Sequence, residues 1–176
     1  MNVFRDEVAH KGFTWERLGD IRAGRGELGE EMPVLVYRLM QYTMLDVLSA
    51  AYGLERANGH FRDAGYVAGT EFAKNTLDLQ AEFGAFLAEL QQALKSLKIG
   101  ILRMEAFDPD TGEIVLTVGE DLDCSGLPIS DEQVCVYDEG FISGILGAYT
   151  GKQYRVREVD CWASGDRVCR FVGKVE

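Results

Sequence analysis

The chain has 176 residues, 47 % hydrophobic and 27 % charged, with 20 glycines and 3 prolines, a composition that excludes collagen-like, mucin-like and disordered classes. A chain of this length buries roughly 70 % of its unfolded surface and folds around one core without help from disulfides. Eighteen Lys and Arg against 29 Asp and Glu leave a formal charge of −11, which repels nucleic-acid phosphates and anionic lipid headgroups alike and argues against both as direct partners.

In chain order, residues 1–28 read as a polar, Gly-interrupted N-terminal arm. It carries charges at Arg5, Asp6, Glu7, Lys11, Glu16 and Arg17 and no apolar signal core, so the chain is read as cytoplasmic. Pro33 opens a helix that runs to about Tyr52 and stops at Gly53. Val34, Leu35, Leu39, Met40, Met44 and Val47 are among more apolar residues than one helix face needs. That helix therefore calls for cover on two sides, the second a homodimer contact through residues 33–52. Arg38, Gln41 and Asp46 interrupt the apolar run short of a membrane span. Helices follow at about 59–76 and 78–97, where Phe83, Phe86, Leu87, Leu90 and Leu94 recur at helical spacing. Strands at 99–107 and 113–118 flank the turn Asp108-Pro-Asp-Thr-Gly112 and predict a hairpin. A helix at about 137–149 separates it from a second hairpin at 153–159 and 168–172. The expected class is α+β, an antiparallel sheet with helices on one face. Residues 29–176 form its domain.

A reducing compartment turns attention from disulfides to metal or buried thiols for Cys124, Cys135, Cys161 and Cys169. Cys135 precedes Glu158 by 23 residues, Glu158 precedes Cys161 by 3, and Cys161 precedes Cys169 by 8. Three thiolates and a carboxylate complete a tetrahedral zinc set. Ala163 to Asp166 is a tight turn that would bring two of the sulfurs together. Residues 158 and 161 point to opposite faces of a regular strand, so the chain has to bulge near Val159 and Asp160 for both to reach one ion. Asp160 and Asp166 are rival carboxylates. Buried, metal-free thiols with a solvated Glu158, or a Cys161–Cys169 disulfide, satisfy the same spacing. Cys124 is not needed for four ligands and is read as a structural or free thiol.

The run Val-Cys135-Val-Tyr-Asp-Glu-Gly140-Phe-Ile-Ser-Gly144, followed by Glu158-Val-Asp-Cys161-Trp-Ala-Ser-Gly165-Asp-Arg-Val-Cys169-Arg-Phe171, resembles the 4-vinyl-reductase domain family. That family includes a bacteriochlorophyll-biosynthesis accessory protein and the aromatic-hydrocarbon-sensing domains of bacterial regulators. The resemblance spans about residues 29–172, most specifically the last 40. It implies a structural zinc on Cys135, Glu158, Cys161 and Cys169. It also implies a dimeric α+β ligand-binding fold, like that of nitric-oxide sensors and Golgi transport subunits, with a cavity for small hydrophobic or aromatic molecules. The ATPase and DNA-binding domains of the regulators are absent from this chain, and neither His10 nor His60 is placed as a proximal haem ligand.

Gly140, Gly144, Gly147 and Gly151 align on one helical stripe, read as close packing of helix on sheet or as the floor for a flat ligand. Ala64, Gly65, Ala68 and Gly69 make a second stripe. Phe61, Tyr66, Phe72, Phe141 and Trp162 are the candidate pocket residues. Gly24-Arg-Gly26-Glu-Leu-Gly29 has the form of a dinucleotide fingerprint but lacks a buried strand before it, and Glu27, Glu30 and Glu31 would repel pyrophosphate. With no nucleotide site and no nucleophile–base motif, the reading is a non-enzymatic, zinc-containing small-molecule sensor. A tetrapyrrole-handling accessory protein or vinyl reductase, and a structural dimeric adaptor, stand as alternatives.

Overall fold

The structure, a computed structural model, describes residues 12–130 and 132–176; the reading of His10 and of the first arm residues lies outside them. The chain divides into two compact units, one up to Glu31 and one from Met32 to Glu176. The described part of the first holds a 3-10 turn, Trp15–Leu18, and a single helical turn, α1 (Ile21–Gly24), whose N-terminus is capped by Asp20 accepting from Ala23 N at 2.9 Å. No strand precedes Gly24, Gly26 and Gly29 among the described residues, so the fingerprint spacing there has no phosphate-binding context.

The second unit contains α2 (Val34–Tyr52), α3 (Leu54–Thr76), α4 (Phe83–Ser96), β1 (Ile101–Phe107), β2 (Ile114–Gly119), α5 (Val136–Thr150), β3 (Tyr154–Asp160) and β4 (Cys169–Val175). Two boundaries differ from the sequence reading. Helix α3 starts at Leu54 because the break is the single residue Gly53, at φ 86°, and Gly59 is simply carried inside the helix. Helix α4 starts five residues late because Asp78 turns the chain, its Oδ1 accepting from Gln80 N at 2.9 Å and its own N–H donating to Glu89 at 2.8 Å.

The four strands form one antiparallel sheet in the order β1-β2-β4-β3. Both expected hairpins are present, joined through β2 and β4. Ile114, Leu116 and Val118 alternate inward on β2, Val156 and Glu158 on β3, and Cys169 and Phe171 on β4. Helices α5 and α4 lie against the sheet, α3 against α5, and α2 against α3. The α+β class with helices covering the sheet is as the sequence indicates. The β3–β4 register shifts between Glu158 and Asp160, the bulge that residues 158 and 161 require to face the same way.

The glycine stripe of α5 meets α3, not the sheet. A Cβ on Gly140 or Gly144 would stand 1.9 Å from Arg62 O or 2.3 Å from Tyr66 O, and one on Gly65 or Gly69 would stand 2.1 Å from Tyr137 O or 2.0 Å from Phe141 O. The two small-residue stripes close on each other. Neither is open to a ligand, because backbone touches backbone along both.

Helix α2 is largely uncovered. Leu35 is 67 % exposed, Val47 63 % and Met40 60 %, and Gln41 is its one buried residue. The second cover that its sequence calls for is not supplied by this chain's described residues.

Candidate metal centre

Four backbone devices bring the cysteines to one end of the sheet. After β2, the Asp121 side chain accepts from Asp123 N at 2.8 Å and Cys124 N at 3.3 Å, closing a turn that points Cys124 inward. Cys135 is the N-cap of α5, and its N–H donates to Glu158 Oε2 at 3.1 Å. Cys161 follows the β3 bulge and caps the 3-10 turn Trp162–Ser164. Gly165, at φ 101°, lets the chain double back so that Asp166 N reaches Cys161 O at 3.0 Å. Cys169 opens β4 opposite Val118.

All four thiols are 0–1 % exposed, and their sulfurs lie within 4.8 Å of one another. Measured separations are 3.0 Å for Cys124–Cys169, 3.7 Å for Cys135–Cys169 and 3.9 Å for Cys135–Cys161. Zinc–sulfur bonds of about 2.3 Å in a tetrahedron place sulfurs about 3.8 Å apart, so the donor set and its spacing fit a zinc ion. Cys135, Cys161 and Cys169 are thus brought together as their spacing suggests, and Cys124 joins them. The Glu158 carboxylate lies beside the cluster and outside that common distance. Oε2 accepts the Cys135 N–H, and Oε1 is buried without a hydrogen-bond partner.

The electrostatics also call for a cation. Burial pushes Asp121 up to about 7 and Glu158 up to about 8, and raises Asp138 well above the ordinary carboxylate range. Hydrogen bonds among the sulfurs concentrate charge on Cys161, whose thiol is lowered by its neighbours, Cys124 first; the Cys124 contact leads in raising Cys135 and Cys169. So many acidic groups in one dry place are costly unless positive charge compensates them.

Two clamps fix this end of the sheet. Asp123 accepts from Tyr37 at 2.8 Å and from Gln41 at 2.7 Å, Tyr42 donates to the Asp123 carbonyl at 3.0 Å, and Arg38 donates to Leu122 O at 2.8 Å and Ser125 O at 2.9 Å. Four side chains of α2 therefore hold the turn that carries Cys124. Glu139 accepts from Arg62 and Arg157 at 2.8 and 2.6 Å and from Glu158 N at 3.0 Å, tying α5 to α3 and β3.

An apolar cavity of ≈ 40 Å³ adjoins the cluster, lined by Leu90, Leu94, Leu102, Phe141 and Ile145 among others, with Asp121 and Asp138 at its polar end. The Asp138 Oδ2 has no partner. About 10–15 Å³ holds one water, whereas a 150 Å³ engineered cavity is known to take benzene. An aromatic ring enters here only if α4 and α5 move apart. Of the five candidate pocket residues, Phe141 lines the cavity and Phe72 packs on Phe141 with ring centres 5.4 Å apart. Tyr66 instead faces a surface groove with Arg62 and Arg157. Phe61 and Trp162 are half-buried and away from the lining, on α3 and in the 3-10 turn.

Sequence reasoning passed over Cys124, Asp121 and Asp138. The pair Asp121-Leu-Asp123 directly before Cys124, and an acid one helical turn after Cys135, were the available signals. The α2 clamp was announced by Tyr37, Arg38, Gln41 and Tyr42, polar groups sharing a face of an apolar helix.

Among curated proteins, an uncharacterized protein of Methanocaldococcus jannaschii is 24 % identical over 149 residues, covering 85 % of this chain and 79 % of that protein. The transcriptional regulatory protein XylR of Pseudomonas putida is 29 % identical over 161 residues, 86 % of this chain, which spans only 28 % of XylR. Among solved structures, the phenol-responsive sensory domain of the transcription activator PoxR with phenol superposes with a TM-score of 0.64 at 19 % identity, covering 83 % of this chain and 77 % of that one. A vinyl-4-reductase family protein from M. jannaschii gives 0.60 at 15 %, covering 85 % of each. A trafficking protein particle complex subunit 3 from Naegleria fowleri, covalently bound to palmitic acid, gives 0.63 at 14 %, covering 81 % and 95 %. These likenesses establish a common fold. Residues 114–175, from β2 through the last strand and so including all four cysteines, match the family model of the 4-vinyl-reductase domain, and this chain accordingly belongs to the family that its cysteine and glycine pattern resembles.

Proposed function

We propose that residues 29–176 form a non-enzymatic sensor domain that binds a small hydrophobic or aromatic molecule between α4, α5 and the sheet. A structural zinc ion, held through the late cysteines, pins the β3–β4 turn beside that cavity. The observation that carries this reading is the continuity of the two sites: Asp121 lines the cavity and, through the turn it closes, positions Cys124 in the sulfur cluster. A ligand wide enough to part α4 from α5 would strain the N-cap of α5, where Cys135 sits, and so reach the clamp on α2. The PoxR likeness supports an aromatic ligand by analogy. Among the described residues no helix is long and apolar enough to cross a membrane, which accords with the cytoplasmic setting proposed here.

The ligand reading is tested by calorimetry and thermal melts with phenol and toluene as probes. A ligand at 100 times its Kd stabilises by about 2.7 kcal/mol, a rise of about 5–10 °C for a chain of this size. Ile145→Phe, which fills the cavity, should abolish the shift. Absence of any shift with either probe, with the metal in place, would count against the sensor reading. Palmitate binding instead would favour the structural adaptor, a reading that the small cavity and the bare α2 face also suit. The cavity leaves no room for a tetrapyrrole macrocycle in this conformation.

The exposed α2 face is proposed to pair with α2 of a second copy. Leu39→Glu places a charge in the middle of that face and should convert a dimer to a monomer by light scattering at unchanged helicity. A wild-type chain that is monomeric at high micromolar concentration would refute the pairing.

A further inference from the structure

We infer that this chain holds its metal with four thiolates, Cys124, Cys135, Cys161 and Cys169, and that Glu158 stays outside the coordination sphere; this rests on the zinc reading above and departs from the three-thiolate, one-carboxylate set that the family resemblance implies. The first ground is distance. The Cys124 sulfur lies within 4.8 Å of all three others and 3.0 Å from that of Cys169, whereas no Glu158 oxygen joins that set. The second is that Cys124 is preset for the role. Asp121 accepts its N–H, the Cys124 carbonyl accepts from Leu127 N at 2.9 Å, and Gly126, at φ 87° with open space around it, permits the turn. The third is that Glu158 is already employed. Its Oε2 holds the N–H of Cys135, and its backbone N–H is taken by Glu139 Oε1, so turning the carboxylate toward an ion would leave a buried N–H at the start of α5 unpaired. A closed all-sulfur site also suits a structural metal, since no position is left for water or substrate. One consequence separates the two ligand sets. Cys124 sits in the turn gripped by Tyr37, Gln41 and Tyr42, so a four-thiolate site ties the metal to α2, while a Glu158 site ties it only to β3.

X-ray absorption of the zinc-loaded full chain tests this without mutation. The expected result is a single shell of four sulfurs at about 2.3 Å, and three sulfurs with one oxygen at about 2.0–2.2 Å would overturn it. In the cobalt-substituted protein, Cys124→Ser should lose about a quarter of the thiolate-to-metal absorption and Glu158→Gln should leave it unchanged. The reverse pattern would assign the fourth ligand to Glu158 and leave the zinc reading standing. Failure of the wild type to take up one equivalent of zinc or cobalt would remove that reading and this inference together.

Discussion

Cys161→Ser abolishes metal retention and lowers the melting temperature by about 10–20 °C. The size follows from the class of interaction lost: removing a structural metal is among the few single changes that cost above about 4–5 kcal/mol, and each kcal/mol moves the midpoint of a chain this long by about 2–4 °C. Cys161 is the sulfur on which the cluster concentrates negative charge, and it is the one whose backbone also closes the 161–166 turn. The serine keeps that turn but offers a much weaker ligand. The ligands converge only in the folded chain, so metal binding is coupled to folding, and wild type stripped with a chelator should melt near the variant. Hydrogen exchange should rise first at residues 161–169 and at the N-terminus of α5, the segments that have the cluster as their main anchor. Calorimetric scans with and without chelator check the expectation, and equal melting temperatures for the two forms would end the structural role for metal.

That cluster also shows where the sequence was legible and where it was not. Local rules carried far. Pro33 and Gly53 bound α2, and Asp108 to Gly112 made the first hairpin. The need to bring residues 158 and 161 to one side required a bulge that the register shift at Val159 supplies. Cys124 escaped because its approach is long-range: it lies 45 residues from Cys169 and reaches it only through the pairing of β2 with β4. Nothing in local periodicity announces which non-consecutive strands lie side by side. The pocket residues scattered for a related reason. Aromatic residues on α3 look like cavity walls in one dimension, yet α3 is separated from the sheet by α5. The cavity therefore opens on the other side of α5, toward α4. Burial identified Phe72 and Phe141 as inner residues without saying what they enclose.

The α3–α5 contact sets up a pair of glycine substitutions on which the same chemical change has opposite signs. Gly140→Ala introduces a methyl 1.9 Å from Arg62 O and 2.8 Å from Tyr66 N, and Gly69→Ala one 2.0 Å from Phe141 O. Backbone atoms cannot swing aside as a side-chain end can, so the helices have to separate by roughly an ångström or more. Parting them also disturbs Glu139, whose ion pair with Arg62 spans the same contact at 2.7 Å, and the Cys135 N-cap one turn earlier. Overpacking in an ordinary core costs about 1–3 kcal/mol. Here a whole interface moves, and the expected cost exceeds about 4 kcal/mol, enough to leave either variant partly unfolded at room temperature. Gly59→Ala lies on the same helix α3 with nothing within 4 Å of the new methyl. It should raise stability by about 0.4–1 kcal/mol by restricting the unfolded chain, an increase of about 2–4 °C. Melting curves of the three variants side by side read the contrast directly. A Gly140→Ala protein that melts with the wild type would mean that α3 and α5 do not meet backbone to backbone, and would reopen the space between them to a ligand.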